Sequence, residues 1–319
     1  MPKVLISDKM SNIATEILDK YSNIEYDVKT GLAKEELIKI IGEYDGLMVR
    51  SATKVTPDVF AAAKNLKIIA RAGTGVDNID RESANTNGTY ITNTPGGNTV
   101  TTAEHAISMM MALSRNIPQG TATLKAGEWA KAKLQGREVF NKTLGIVGFG
   151  NIGKVVADRA KGLRMNVIAF DKYHDEEQAK ALGVEMVELD ELLKRSDYIS
   201  MHLVKTPETT DFINTEEFAK MKKGVFMVQC SRGGIVNEDA LYNALQDGTV
   251  LGAAVDVFAT EPPGEHKLLT LDNIIATPHL GASTQEAQDN VAIAAAEQVA
   301  EYLTNGNLRN ALNAKEVSK

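Results

Sequence analysis

The chain has 319 residues, 43% of them hydrophobic, enough for two domains with proper cores. Forty-two acidic against 35 basic side chains give a net charge of −7, which argues against a nucleic-acid surface. No apolar run reaches the ~20 residues of a membrane span, the start MPKVLISDKM lacks a signal-peptide pattern, and the one cysteine, Cys230, permits no internal disulfide. The five histidines show no metal-ligand spacing, so no metal is expected, and the chain reads as cytoplasmic.

From residue 3, short β-type runs alternate with helical stretches. KVLIS precedes a helix around 12–21, IEYDV one around 34–41, and DGLMVR one near 57–64; LKIIA follows, and TYITNTPGG closes the section in a turn-rich loop. Such a β-α-β-α order implies a parallel sheet covered by helices on both faces. A helix over 99–113 follows, its apolar side formed by Ala106, Met109, Met110 and Leu113. The stretch 117–141 is irregular, basic, and holds Trp129, the only tryptophan. It fits either a surface excursion or an arm that packs on a second subunit. The alternation then restarts through TLGIVGF, NVIAF, DYISMHL, GVFMVQC, LGAAVDVF and NIIATP, six strands of a doubly wound domain. A final helix over 285–303 aligns Val291, Ala295, Val299 and Leu303 and stops at Gly306.

Within GIVGFGNIGK, Gly148, Gly150 and Gly153 form G-x-G-x-x-G between a strand and a helix. The first glycine permits the tight turn, the second lets a ligand reach the backbone, and the third lets helix and strand pack closely. Free N–H groups at the helix start, around Asn151 and Ile152, favour a pyrophosphate. Asp171, ending the next strand about 20 residues on, is placed to accept hydrogen bonds from the adenosine ribose. An acid there repels a 2′-phosphate, so NAD is the expected cofactor over NADP, with Lys172 beside it tempering the preference. A tight turn without a ligand is the bland alternative.

Beyond three later strands stand Arg232 in VQCSRGG, Glu261 in VDVFATEPP and His279 in IIATPHLGAST. Singly, each reads as a surface ion pair, a loop charge or a filler. Together they suit oxidation of a 2-hydroxy acid. Arg232 would offer two parallel donors to a carboxylate, His279 would take the hydroxyl proton, and Glu261 would orient the ring and stabilise the imidazolium.

These segments, with RAGTGVDNID, NTPGGNT and CSRGGIVNEDAL, occur in order from about residue 45 to 285, and the chain resembles the D-isomer-specific 2-hydroxyacid dehydrogenase family. The resemblance implies an α/β fold of two Rossmann-like or flavodoxin-like parallel-sheet domains with an interdomain cleft. Residues 1–98 and 286–319 would form a discontinuous substrate-binding domain, and 99–285 the NAD-binding domain. Arg232, Glu261 and His279 match the family's catalytic positions. His202, Thr206 and Pro207, with Cys230, Ser231 and Asp256, match loops that line the cofactor. Arg50, Ser51, Arg71, Thr74, Gly75 and Asn98 match the substrate side, where two arginines suit a phosphorylated 2-hydroxy acid. Ordinary ion pairing is the alternative for Arg50 and Arg71. The stretch 117–141 matches a dimerisation arm, so a homodimer or tetramer is implied, with no nucleic-acid or membrane partner. Gln229 stands where the family commonly has Asn, which puts a local turn contact in question. Many members add a C-terminal ACT domain; only NALNAKEVSK follows here, so no inhibition through one is expected. Two other functions compete: the same chemistry on an unphosphorylated or larger 2-hydroxy acid, and an NAD(H)-sensing corepressor without useful turnover.

Overall fold

The computed structural model describes residues 1–317 and divides into two compact units, residues 1–98 with those from 283 onward, and residues 99–282. In the first unit, β1 (Lys3–Ile6), α1 (Ile13–Leu18), β2 (Glu25–Val28), α2 (Lys34–Ile40), β3 (Gly46–Val49), α3 (Pro57–Ala62), β4 (Ile68–Arg71), α4 (Arg81–Asn87) and β5 (Tyr90–Asn93) alternate strictly. The five strands are parallel in the order β2-β1-β3-β4-β5. Parallel sheets bury both faces, which is why the inner strands β1, β3 and β4 read as apolar runs, whereas the edge strand β2 (EYDV) does not. Leu5, Leu47 and Ile69 face Leu37, Ile41 and Phe60 on one side, while Val4, Ile6, Met48 and Ile68 look to the other.

The second unit opens with α5 (Thr99–Ser114) and α6 (Ile117–Lys125). There follow β6 (Thr143–Val147), α7 (Asn151–Gly162), β7 (Asn166–Phe170), α8 (Glu176–Ala181), β8 (Glu185–Met186), α9 (Leu189–Arg195) and β9 (Tyr198–Met201). The unit closes with α10 (Thr215–Lys220), β10 (Val225–Gln229), α11 (Glu238–Gln246), β11 (Val250–Val255) and β12 (Ile274–Ala276). Its parallel sheet runs β12-β11-β10-β9-β6-β7-β8. Seven strands replace the six expected, because β8 has only two residues, too few to show an apolar pattern. The stretch 117–141 is also more ordered than expected: α6 fills its first part and a single 3₁₀ turn, Lys131–Lys133, its middle.

The chain then returns to the first unit as α12 (Gln285–Asn305), whose Val291, Ala292, Ala295, Ala296 and Val299 cover the Val4–Ile6–Met48–Ile68 face. Gly46 makes room for this helix; a Cβ there would lie 2.9 Å from Val299. Gly306, at φ +71°, ends α12, and a last turn, α13 (Ala314–Val317), follows. Between them Asn313 is fully buried, its Oδ1 accepting the Ile91 N–H at 2.8 Å on the outer edge of β5, where the Leu312 N–H also donates to the Ile91 carbonyl.

Among the described residues, no helix is long and apolar enough to cross a membrane.

Candidate active site

In the second sheet the strand order reverses between β6 and β9, and ligands of such sheets bind beyond the carboxyl ends at that point. The glycine loop leaves β6 there. Gly148, at φ +100°, lies so close to the next strand's exit that a Cβ would sit 2.6 Å from the His202 carbonyl carbon. A Cβ on Gly153 would overlap the Gly148 carbonyl oxygen, so this glycine serves packing. Gly150 differs: nothing lies within 4 Å of where its Cβ would point. No side chain caps α7, so the N–H groups at its start, from Asn151 and Ile152, face that open space.

Asp171 closes the cradle from β7. Its Oδ2 accepts the Phe149 N–H at 2.7 Å and its Oδ1 the Tyr173 N–H at 2.9 Å, fixing a carboxylate that keeps further acceptor capacity. His202, just past β9, holds Ser200 Oγ at 2.7 Å through Nε2, while its buried Nδ1 has no partner. Burial pushes its pKa down to about 4. An uncapped helix start, room at Gly150, a fixed carboxylate and an orphaned ring nitrogen fit a dinucleotide. Thr206 and Pro207 lie further along; Thr206 Oγ1 accepts the Thr209 N–H at 3.3 Å and shapes a one-turn 3₁₀ helix there.

Arg232 follows β10. Gln229, whose turn contact was in question, makes one: its Nε2 donates to the Arg232 carbonyl at 3.0 Å, and its Oε1 accepts from Ser231 Oγ at 2.8 Å. Arg232 Nη1 donates to the Ser231 carbonyl at 2.8 Å. Cys230 is buried, and burial, with Asp256 adding to it, drives its thiol pKa up, so it is an inert thiol.

Glu261 and His279 meet: His279 Nδ1 lies 2.7 Å from Glu261 Oε2, and both side chains are partly open to solvent, His279 at 46% and Glu261 at 38%. Burial works to raise the Glu261 carboxyl, but the hydrogen bond and charge of His279 and the Phe258 N–H, at 3.1 Å, outweigh it and hold the pKa below the usual range. His279 has φ +54°, a left-handed backbone uncommon outside glycine though less so for histidine, and Asp256 sustains it. The Asp256 carboxylate, 1% exposed, accepts the N–H groups of Leu280 at 2.7 Å and Gly281 at 2.8 Å and the Thr277 hydroxyl at 2.6 Å, with His105 Nε2 at 3.3 Å. Asp256 therefore spends its carboxylate on the loop that carries His279. Sequence reasoning passed over His105 and Thr277, whose roles depend on how the middle of α5 lies against the end of β12.

In the first unit Val49 pairs with Arg71, so Arg71 and Arg50, one register step further on, stand at the ends of adjacent strands. Burial lowers the Arg50 pKa, with Asp8 opposing that shift. The Arg71 guanidinium lies over Gly73, where a Cβ would overlap it. Thr74 Oγ1 donates to Asn98 Oδ1 at 2.7 Å, and Asn93 Nδ2 to the Thr74 carbonyl at 2.7 Å, so Thr74, Gly75 and Asn98 share one corner. Ser51 is exposed beside Arg50.

A doubly wound sheet with this cradle at its reversal point, and an Arg–Glu–His set beyond later strands, is the design of a dinucleotide-dependent dehydrogenase domain. The family profile of the D-isomer specific 2-hydroxyacid dehydrogenases, NAD binding domain, matches residues 107–281. The chain is 48% identical over 300 residues to a hydroxypyruvate reductase of Thermotoga maritima, covering 93% of this chain and 97% of that one. It is 48% identical over 313 residues to a D-3-phosphoglycerate dehydrogenase of Synechocystis, covering 98% of this chain but 56% of the relative. A crystal structure from Thermus thermophilus superposes with a TM-score of 0.89 at 33% identity, over 97% of this chain and 99% of that one. The chain belongs to the D-isomer-specific 2-hydroxyacid dehydrogenases. It spans 51–60% of the length of the phosphoglycerate dehydrogenases it matches.

Proposed function

We propose that the chain interconverts D-3-phosphoglycerate and 3-phosphohydroxypyruvate, the first step of phosphorylated serine biosynthesis, with NAD as cofactor. The Asp171 carboxylate supports NAD over NADP, because it favours ribose hydroxyls and repels a 2′-phosphate. Bound at the cradle, NAD supplies the ring that accepts the hydride. Arg232 holds the substrate carboxylate through parallel donors. His279 receives the hydroxyl proton at Nε2, while its Nδ1–H, donated to Glu261, fixes the tautomer and offsets the imidazolium charge. His202, held neutral by burial, is a cofactor neighbour and not the base. In the reverse direction His279 returns the proton.

The observation that carries the phosphate reading is the pair Arg50 and Arg71 on adjacent strand ends, two fixed cations suited to a dianion. Thr74, Gly75 and Asn98 are assigned to the same substrate. The match to a hydroxypyruvate reductase across nearly all its length supports the second reading, an unphosphorylated substrate. We also assign residues 117–141 to contact with a second copy, since Ile117, Leu124, Trp129 and Phe140 there are exposed, Trp129 by 80%; light scattering that found only monomers would remove this assignment.

The test is NADH oxidation with 3-phosphohydroxypyruvate, hydroxypyruvate and pyruvate compared by kcat/KM. Two charge-assisted hydrogen bonds predict a phosphate preference of about tenfold or more, lost in Arg50→Ala and Arg71→Ala. A flat profile would favour hydroxypyruvate, and tight NADH binding with no turnover would favour a corepressor.

A further inference from the structure

The turn that carries Arg50 and Ser51 belongs to no helix or strand, yet its main chain is tied on both sides. Asp8, 4% exposed, stands just past β1. Its Oδ2 accepts the Arg50 N–H at 2.6 Å, and its Oδ1 accepts the Thr53 N–H at 3.0 Å and the Thr53 hydroxyl at 2.6 Å. Asn78 grips the same two residues by their carbonyls, its Nδ2 lying 2.8 Å from the Arg50 oxygen and 2.7 Å from that of Thr53. Arg50 Nη1 in turn donates to the Lys9 carbonyl at 3.2 Å. The strand order of this sheet reverses between β1 and β3, so the clamp sits where an open α/β sheet receives a ligand.

Three donors converge on Asp8. A carboxylate is acceptor-only, with about four lone-pair sites, and satisfies all of them; an amide would turn an NH₂ group onto N–H groups. The charge itself is adverse beside an anion site. Its retention in a buried position calls for a geometric reason.

We propose that Asp8 and Asn78 are positioning residues that hold the 50–53 turn so that Arg50 and Ser51 meet the anionic end of the substrate. The inference rests on the phosphorylated-substrate reading above. It also makes a choice of sign. If Asp8 acted through charge alone, Asp8→Asn would tighten binding of a phosphorylated substrate, by removing a like charge. If Asp8 holds the turn, the same change weakens it.

The experiment measures kcat and KM of the full chain, Asp8→Asn and Asn78→Ala with 3-phosphohydroxypyruvate and with hydroxypyruvate, and amide hydrogen exchange over residues 50–53. Both variants should raise KM for the phosphorylated substrate by about tenfold or more, leave kcat and the hydroxypyruvate KM within about threefold, and speed exchange in the turn. General damage to the fold would move both substrates together and leave their KM ratio unchanged. A lower or unchanged phosphorylated-substrate KM in Asp8→Asn, or exchange as slow as in the parent, would overturn the proposal. If Asp8→Asn does not fold, Asn78→Ala alone decides by the same two readouts. A parent enzyme indifferent to phosphate would instead show that the substrate reading had failed, and the positioning role would fall with it. A parent that discriminates, with variants that still do, removes the clamp and leaves the substrate reading intact.

Discussion

His202 gives the sharpest quantitative expectation. Its Nδ1 is sealed from solvent without a partner, and its pKa of about 4 compares with 6.5 for a free imidazole. Between those values the unfolded chain takes up a proton that the folded chain refuses. The stability that the neutral ring permits is therefore full above pH 6.5 and is lost as the pH falls toward 4, at ~1.4 kcal/mol per unit and about 3 kcal/mol in all. For a domain of this size the loss corresponds to roughly 6–12 °C in Tm. His202→Gln keeps a polar end group for Ser200 but does not titrate, so its Tm should fall less steeply over this range. Thermal unfolding of both proteins from pH 7.5 to 4.5, without added cofactor, isolates the His202 contribution as the difference in slope. Parallel curves would refute the argument, because they would mean that the ring reaches water or a proton-accepting partner in the folded chain.

His279→Ala should lower kcat by about 10²–10⁴-fold with NADH affinity nearly unchanged, and Asp171→Ala should do the reverse. Stopped-flow turnover and fluorescence titration of NADH separate the two; parallel effects would show that the role assignment is wrong. Gly150→Ala should leave Tm within about 1 °C, because its Cβ meets nothing, yet weaken NADH binding by about tenfold or more. Gly153→Ala should lower Tm by several degrees, since its Cβ overlaps the Gly148 carbonyl. Equal losses of Tm in both would contradict the distinction between a ligand-facing and a packing glycine.

The α/β class was legible because parallel strands buried on both faces leave long apolar runs, and the glycine loop because it lies between a strand and a helix. The two-residue β8 left no such trace. In 117–141 the pattern was weak because α6 buries no residue on any face, so periodicity had nothing to report. At the site, Arg232, Glu261 and His279 stood out as residue types at strand ends, but only geometry shows that Glu261 meets His279 while Asp256 turns to its loop. Asp8, Asn78 and His105 are invisible one at a time. Asp8 lies 42 residues from the amide it holds, and His105 lies 172 from Thr277, so no local pattern links them. The one available signal was Asp8 itself, an acid just beyond the first strand.

The first unit's sheet is assembled from the opening third of the chain, yet one of its faces is covered by α12, made after the whole second unit. During synthesis from the amino end, Val4, Ile6, Met48 and Ile68 have only α1, through Ala14, Ile17 and Leu18, as native cover until Val291 and Val299 have emerged, while the second unit already has every residue it needs. The nascent chain thus completes its cofactor-side unit first and carries a half-covered apolar sheet meanwhile. That interval, set by gene order and not by stability, is when this protein most needs protection from its neighbours.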